Sequence, residues 1–396
     1  MTRPSRLDLG ALLADSGTEV IVTCGSGGVG KTTTAAALGL RAAESGRRVV
    51  VLTIDPARRL AQSLGLSELD NTPRRVEGID DAQGGQLFAM MLDMKRTFDD
   101  VVTSHSTSER AEQIFANPFY QSLSSSFAGT QEYMAMEKLG QLRQLGLAGD
   151  APEGRRWDLI VVDTPPSRSA LDFLDAPNRL GRFLDGRMIR LLTAPARAGG
   201  KAYLKVVTAS FTLFTRLITK ILGGELLNDV ASFVASLETM FGGFRERAEH
   251  TYELLKAPGT AFVVVAAPEP DALREASFFV DRLSAEQMPL AGVVINRVHF
   301  AAKGLTARAA EAAADRLGEQ TPSDARSQRA AALAETALRV HADLAATAEA
   351  DRRMAGRFSS AHPSVALTEV AALASDVHDL DGLRRIGDLL APPTVS

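Results

Sequence analysis

Cysteine is almost absent from these 396 residues: Cys24 stands alone. A single thiol excludes a disulfide framework within one chain, and with it any zinc or thiol–metalloid site built from clustered cysteines. No sign of charge dominates either, since 44 basic residues face 48 acidic ones for a net charge of -4. That balance gives no reason to expect a nucleic-acid partner. Long uncharged apolar runs are missing as well, no window reaching the ~20 residues of a membrane span. The opening stretch, MTRPSRLDLGALLADSG, lacks an apolar core long enough for a signal peptide. The expectation is a cytoplasmic protein without stable membrane insertion. His105, His250 and His299 show no metal-ligand spacing.

What is present is ample apolar content, 45%, enough for a sizeable core, and one stretch around which the chain is organised. From Thr18 to Asp55 an apolar run (Val20 to Val22) ends in a glycine-rich loop. The loop enters Lys31, Thr32 and an alanine-rich helix, and a second apolar run (Val49 to Leu52) leads to Asp55. The loop satisfies two patterns at once. Gly25, Gly30, Lys31 and Thr32 fit G-x-x-x-x-G-K-[ST], while Gly25, Gly27 and Gly30 fit G-x-G-x-x-G with an acid after the next strand. Both patterns turn backbone N–H groups and a helix N-terminus toward an anion. Only a nucleoside triphosphate site also needs Lys31 as a cation for the β- and γ-phosphates and Thr32 as a hydroxyl for Mg²⁺. Gly25, Ser26, Gly27, Gly28, Val29, Gly30, Lys31, Thr32 and Thr33 are therefore the candidate phosphate-binding residues. Cys24, at the end of a core strand, reads as a small buried apolar residue.

Downstream, Arg58 to Leu69 reads as a short helix, and QLFAMMLD as a third strand after Gly84 and Gly85. Lys95 to Leu147 turns helical, interrupted at Asn117-Pro118, before WDLIVVD (Trp157 to Asp163) gives a fourth strand. A second helical block runs from Asp175 to Lys256, and within it Val206, Val207, Phe211, Phe214, Leu217, Ile218 and Ile221 share one stripe. Strands return in TAFVVVAAPEP and LAGVVINRV, separated by a helix over Asp271 to Gln287. Ala301 to Arg357 is helical, then come a strand (Ser364 to Val370) and a helix over Leu380 to Leu390. Strands alternating with helices predict an α/β fold: a mostly parallel sheet flanked by helices, with ligands at the carboxyl ends of the strands. Residues 1–94, 151–175 and 257–396 form its discontinuous core. Residues 95–150 and 176–256 are helical insertions forming a subdomain.

The phosphate loop, Asp55, Asp163, Glu269 and Asn296 all lie just past strand ends, so they converge on one edge. Asp163 fits the acid that holds Mg²⁺ or its water shell. Asp55 is open between orienting the attacking water and capping the helix after Pro56. Asn296 is open between reading an adenine edge and serving as a turn residue. Arg58 and Arg59 read as solvated.

GSGGVGKTTTAAALGLRAAESGRRVVVLTIDPARRLAQSLG, WDLIVVDTPPSRSALDFLDAPNRL, VVAAPEPDALREA and AGVVINRV occur in the order and spacing of one group. Across nearly its whole length the chain resembles the arsenite-pump ATPases and their relatives that target tail-anchored membrane proteins, P-loop ATPases with large helical insertions. The resemblance implies a Mg²⁺- and ATP-dependent dimer. In it Lys31 and Thr32 bind phosphates and Mg²⁺, Asp55 orients water in the first switch loop, Asp163 begins the second, and Asn296 contacts the adenine. Two departures stand out. Ser26 occupies the position where the family usually carries a lysine that reaches the partner's phosphates, and the C-x-x-C pair of the targeting branch is missing. With one cysteine, arsenite binding is not expected.

These residues leave two functions in view. The first is an ATPase whose cycle moves helices around an apolar client such as a membrane-protein segment, with Met134, Met136, Phe211 and Phe214 either lining a groove or packed inside. The alternative is a weakly hydrolysing or non-hydrolysing regulatory subunit of a heterodimer, for which Ser26 speaks. A partition-type ATPase is disfavoured, because such chains need no large helical insertions. The dimer is either a homodimer or a heterodimer with a homologous subunit.

Overall fold

The computed structural model describes residues 5–55, 59–117, 120–121, 130–148, 157–165, 247, 249–320 and 324–392. Its strands, in chain order, are β1 (Val20–Cys24), β2 (Arg48–Thr53), β3 (Arg74–Arg75), β4 (Gln86–Met91), β5 (Leu159–Asp163), β6 (Thr260–Ala266), β7 (Leu290–Val298) and β8 (Leu367–Ala371). They form one sheet in the order β3-β4-β2-β5-β1-β6-β7-β8. Every pairing is parallel except that of β3 with β4. The two-residue β3 is invisible to a pattern search, because Arg74 and Arg75 carry no alternation.

Parallel strands need coverage on both faces, and the sequence supplies it. Val20, Val22 and Cys24 of β1 point into one apolar layer and Ile21 into the other. On the Ile21 side lie α1 (Leu9–Ala14), α2 (Lys31–Glu44), α3 (Arg59–Ser63) and the C-terminal helix Leu380–Leu390, contributing Leu9, Leu38, Leu60 and Ile386. On the Val20 side are α4 (Met94–His105), α5 (Ser108–Ala116), α6 (Thr130–Ala148) and α7 (Pro270–Ala285), contributing Phe98, Ile114, Met136 and Phe279. The helical stretch over 301–357 holds two helices, α8 (Ala307–Gly318) and α9 (Ala325–Ala361). The side chains of Thr306 and Asp324 cap them at their first turns. The final helix, α10, has the bounds its pattern gives, Leu380–Leu390. The helix expected over 58–69 shortens to α3, since Gly65 takes a positive φ of 68° and ends it.

The helix α5 ends at Ala116 with Asn117 as its C-cap, just before the proline. Met134 and Met136 are 1% and 0% exposed, packed in the core rather than lining an open groove. The apolar stripe from Val206 to Ile221, with Phe211 and Phe214, lies outside the described residues. Among those described, no helix is long and apolar enough to cross a membrane.

Candidate active site

The parallel register builds the site. Thr23 of β1 and Thr53 of β2 both stand opposite Asp163 of β5, so three strand ends finish at one level. From β1 the chain enters the glycine loop, and two glycines there are obligatory. At Gly25 (φ 150°) a Cβ would fall 2.0 Å from the Val265 carbonyl oxygen of β6. At Gly30 (φ 96°) it would fall 2.3 Å from the Asn296 amide nitrogen. Gly30 is also the N-cap of α2, with no side chain capping the helix. The first amide N–H groups of α2 are thus left for an anion, with the positive end of the helix dipole behind them.

Lys31 is buried, and its ammonium donates to the Ser26 carbonyl oxygen at 2.7 Å, spanning the loop. Burial holds its pKa below the ordinary lysine value, against the pull of Asp163, Cys24, Asp55 and Glu275. Glu275, on α7, is not among the residues the sequence singles out. Its spacing within a helix gives no sign that it faces Lys31.

Asp163 is fully buried. Its Oδ2 accepts hydrogen bonds from the Thr32 hydroxyl at 2.7 Å and the Thr53 hydroxyl at 2.9 Å. Its Oδ1 is buried with no hydrogen-bond partner. Burial pushes the carboxyl up to about 6, opposed by the two hydroxyl donors and by Lys31, while the nearby Asp55 pushes it further up. A buried carboxylate oxygen without a donor is costly, and a divalent cation is the partner that satisfies it. Thr32 and Asp163 therefore fit Mg²⁺. Among the described residues no three His, Cys, Asp or Glu side chains gather into a metal site. That suits an ion whose other ligands are phosphate oxygens and water.

Asp55 is partly exposed just beyond β2, and its backbone N–H donates to the Thr53 hydroxyl oxygen at 3.2 Å. Residues 56–58 lie outside the described residues, as do the Arg58 and Arg59 side chains, so the helix-cap reading of Asp55 falls there too. Asn296 is buried, and its amide donates to the Val29 carbonyl oxygen at 2.9 Å, bracing the glycine loop from β7. Asn296 lies within β7 rather than past its end, so the turn reading fails, and the bracing contact is a role that neither sequence reading gave. Glu269 is exposed at the N-cap of α7, making no side-chain cap bond. Cys24 is buried, and burial pushes its thiol up to about 12, which leaves it inert. Of the candidates, Thr32 and Asp163 are thus joined by a hydrogen bond, Thr53 extends the link to the Asp55 backbone, and Lys31 feels the charges of Asp163 and Asp55. Asn296 braces the loop from β7, and Glu269 is exposed at the start of α7.

Comparison with known proteins bears on this geometry. The profile of the family described as "Anion-transporting ATPase" matches residues 18–312. The chain is 25% identical over 293 residues to "ATPase GET3" of Podospora anserina, covering 71% of this chain and 73% of that one. It is 25% identical over 288 residues to "ATPase GET3C" of Arabidopsis thaliana, covering 69% and 65%. With "ATPase ASNA1 homolog" of Babesia bovis it shares 24% over 295 residues, covering 74% and 70%.

Proposed function

The chain belongs to the anion-transporting ATPase family, and from that premise we propose that it binds Mg²⁺-ATP at the Gly25–Thr33 loop and hydrolyses it to ADP and phosphate. The observation that carries the reading is the Asp163 carboxylate. One oxygen is held by Thr32 and Thr53, and the other is buried and unpartnered beside an uncapped helix N-terminus.

In this reading the loop amides and Lys31 bind the β- and γ-phosphates, Lys31 exchanging the Ser26 carbonyl for phosphate oxygens. Thr32 and Asp163 hold Mg²⁺, which when bound neutralises charge developing on the phosphates. Asp55 orients a water in line with the γ-phosphorus. As the water oxygen bonds to phosphorus, the bond to the β,γ-bridging oxygen breaks and the electron pair leaves on ADP. Positioning and charge neutralisation supply most of the rate in such transfers.

The finer part of the proposal is the work done with that energy: handling an apolar client, the class being a tail-anchored membrane-protein segment, by a dimer. The resemblance to the targeting branch supports this, although Met134 and Met136 are core residues and contribute no groove. Ser26 favours a heterodimer. Its hydroxyl is buried without a partner and supplies no charge to a neighbouring subunit.

Isothermal titration with Mg²⁺-ATP tests the binding site. Wild type should bind only when Mg²⁺ is present, and Lys31→Ala should lose most of the affinity. Unchanged affinity in the variant would sink the triphosphate assignment.

A further inference from the structure

We infer that Thr53 is a positioning residue for hydrolysis, its hydroxyl tying the backbone of Asp55 to the carboxylate of Asp163. The inference rests on the ATPase reading above and deepens it. Thr53 is the last residue of β2 and 1% exposed, so no substrate atom reaches it. Its hydroxyl has one proton and two lone pairs. Two acceptors compete for the proton: Asp163 Oδ2 at 2.9 Å and the Asp55 carbonyl oxygen at 3.4 Å. The shorter, charge-assisted bond to the carboxylate wins. A lone pair then accepts the Asp55 N–H at 3.2 Å.

The result is a chain of donors from Asp55 N–H through Thr53 Oγ1 to Asp163 Oδ2, where the Thr32 hydroxyl arrives from the other side at 2.7 Å. One carboxylate oxygen therefore gathers the start of α2 and the end of β2, while the other is left toward the proposed metal position. Such a clamp fixes where Asp55 leaves the sheet relative to the metal-holding acid. Its contact with the phosphate loop is the Thr32 hydroxyl, while the Lys31 ammonium is held by the Ser26 carbonyl oxygen instead. Loss of the hydroxyl should accordingly spare nucleotide binding and impair the placement of the water-orienting carboxylate. Misplacement by about 1 Å is enough to cost on the order of 10²-fold in rate.

The test uses the full-length protein with Thr53→Val, which keeps the buried shape and deletes the hydroxyl, and Thr53→Ser, which restores it. Steady-state phosphate release at saturating Mg²⁺-ATP gives kcat, and titration with a slowly hydrolysed ATP analogue gives Kd. Thr53→Val should keep Kd within about threefold and lose at least about tenfold in kcat, and Thr53→Ser should return kcat to near wild type. Where circular dichroism shows valine lowering the folded fraction, Thr53→Ala is read in the same way. The inference is overturned if Thr53→Val turns over within twofold of wild type. It is equally overturned if Thr53→Ser is as slow as Thr53→Val, or if Kd weakens in step with kcat. A wild type that neither binds nor hydrolyses Mg²⁺-ATP would instead remove the ATPase reading itself.

Discussion

Replacing Asp163 with asparagine removes the titration of a carboxyl that burial has pushed up to about 6 from its ordinary 3.8. A carboxyl raised in the folded state binds its proton more tightly there than in the unfolded chain. Its contribution to stability is therefore fully present below about pH 4 and is lost as pH rises through 6. A pKa raised by about 2 corresponds to ~3 kcal/mol lost by pH 7. With unfolding entropy of about 2.1 cal/mol/K per residue, a chain of 396 residues should show this as roughly 4 °C in Tm. Asparagine keeps an acceptor for the Thr32 and Thr53 hydroxyls but has no proton to release. Thermal unfolding of wild type and Asp163→Asn, followed in EDTA from pH 4 to pH 8, isolates the effect in the difference between the two. The variant's Tm should rise relative to wild type as pH climbs from 4 to 7 and then level off. Saturating Mg²⁺-ATP should reverse the order at neutral pH, because ligand stabilisation follows affinity and the variant has lost the metal-holding charge. A difference that stays flat with pH, or falls, would refute the claim that this carboxyl is buried without adequate compensation.

Asp55→Asn should leave Mg²⁺-ATP affinity nearly intact in titration and remove most phosphate release; turnover at the wild-type level would deny Asp55 the water-orienting role. Gly25→Ala drives a Cβ to within 2.0 Å of the Val265 oxygen, so the variant should lose nucleotide binding or fold poorly by thermal melt, and wild-type behaviour in both would show the loop to be looser than this packing. Ser26→Lys, purified as a homo-oligomer, should gain on the order of 10³-fold in kcat if a cation delivered in trans is what two identical chains lack. A brisk wild type with no gain in Ser26→Lys would defeat the heterodimer argument.

Much of the site is legible in the sequence because its parts are consecutive. Gly25 to Thr33 carry in one run the glycines, lysine and threonine of a phosphate-loop pattern, and Asp163 ends an apolar run regular enough to mark its strand. Thr53 is hidden for the opposite reason. A lone threonine in VVVLTID looks like any β-branched strand residue, and its value appears only when β2 and β5 become neighbours and bring it opposite Asp163. Asn296 stands out as a polar residue in an apolar strand, yet its bond to Val29 crosses 267 residues of chain, a contact no local pattern encodes. Met134 and Met136 illustrate a different limit: a helix buried on most sides and one lining an apolar groove carry the same side chains, and only the surrounding structure separates them. The short β3 pairs antiparallel with β4 and leaves no trace in composition.

The most direct test of the central claim is phosphate release from ATP by the purified wild-type chain, measured with Mg²⁺ and again with excess EDTA, beside Lys31→Ala. The account predicts release that requires Mg²⁺ and disappears in the variant. Release that persists in EDTA or survives in Lys31→Ala, or no release from wild type under any of these conditions, would contradict it.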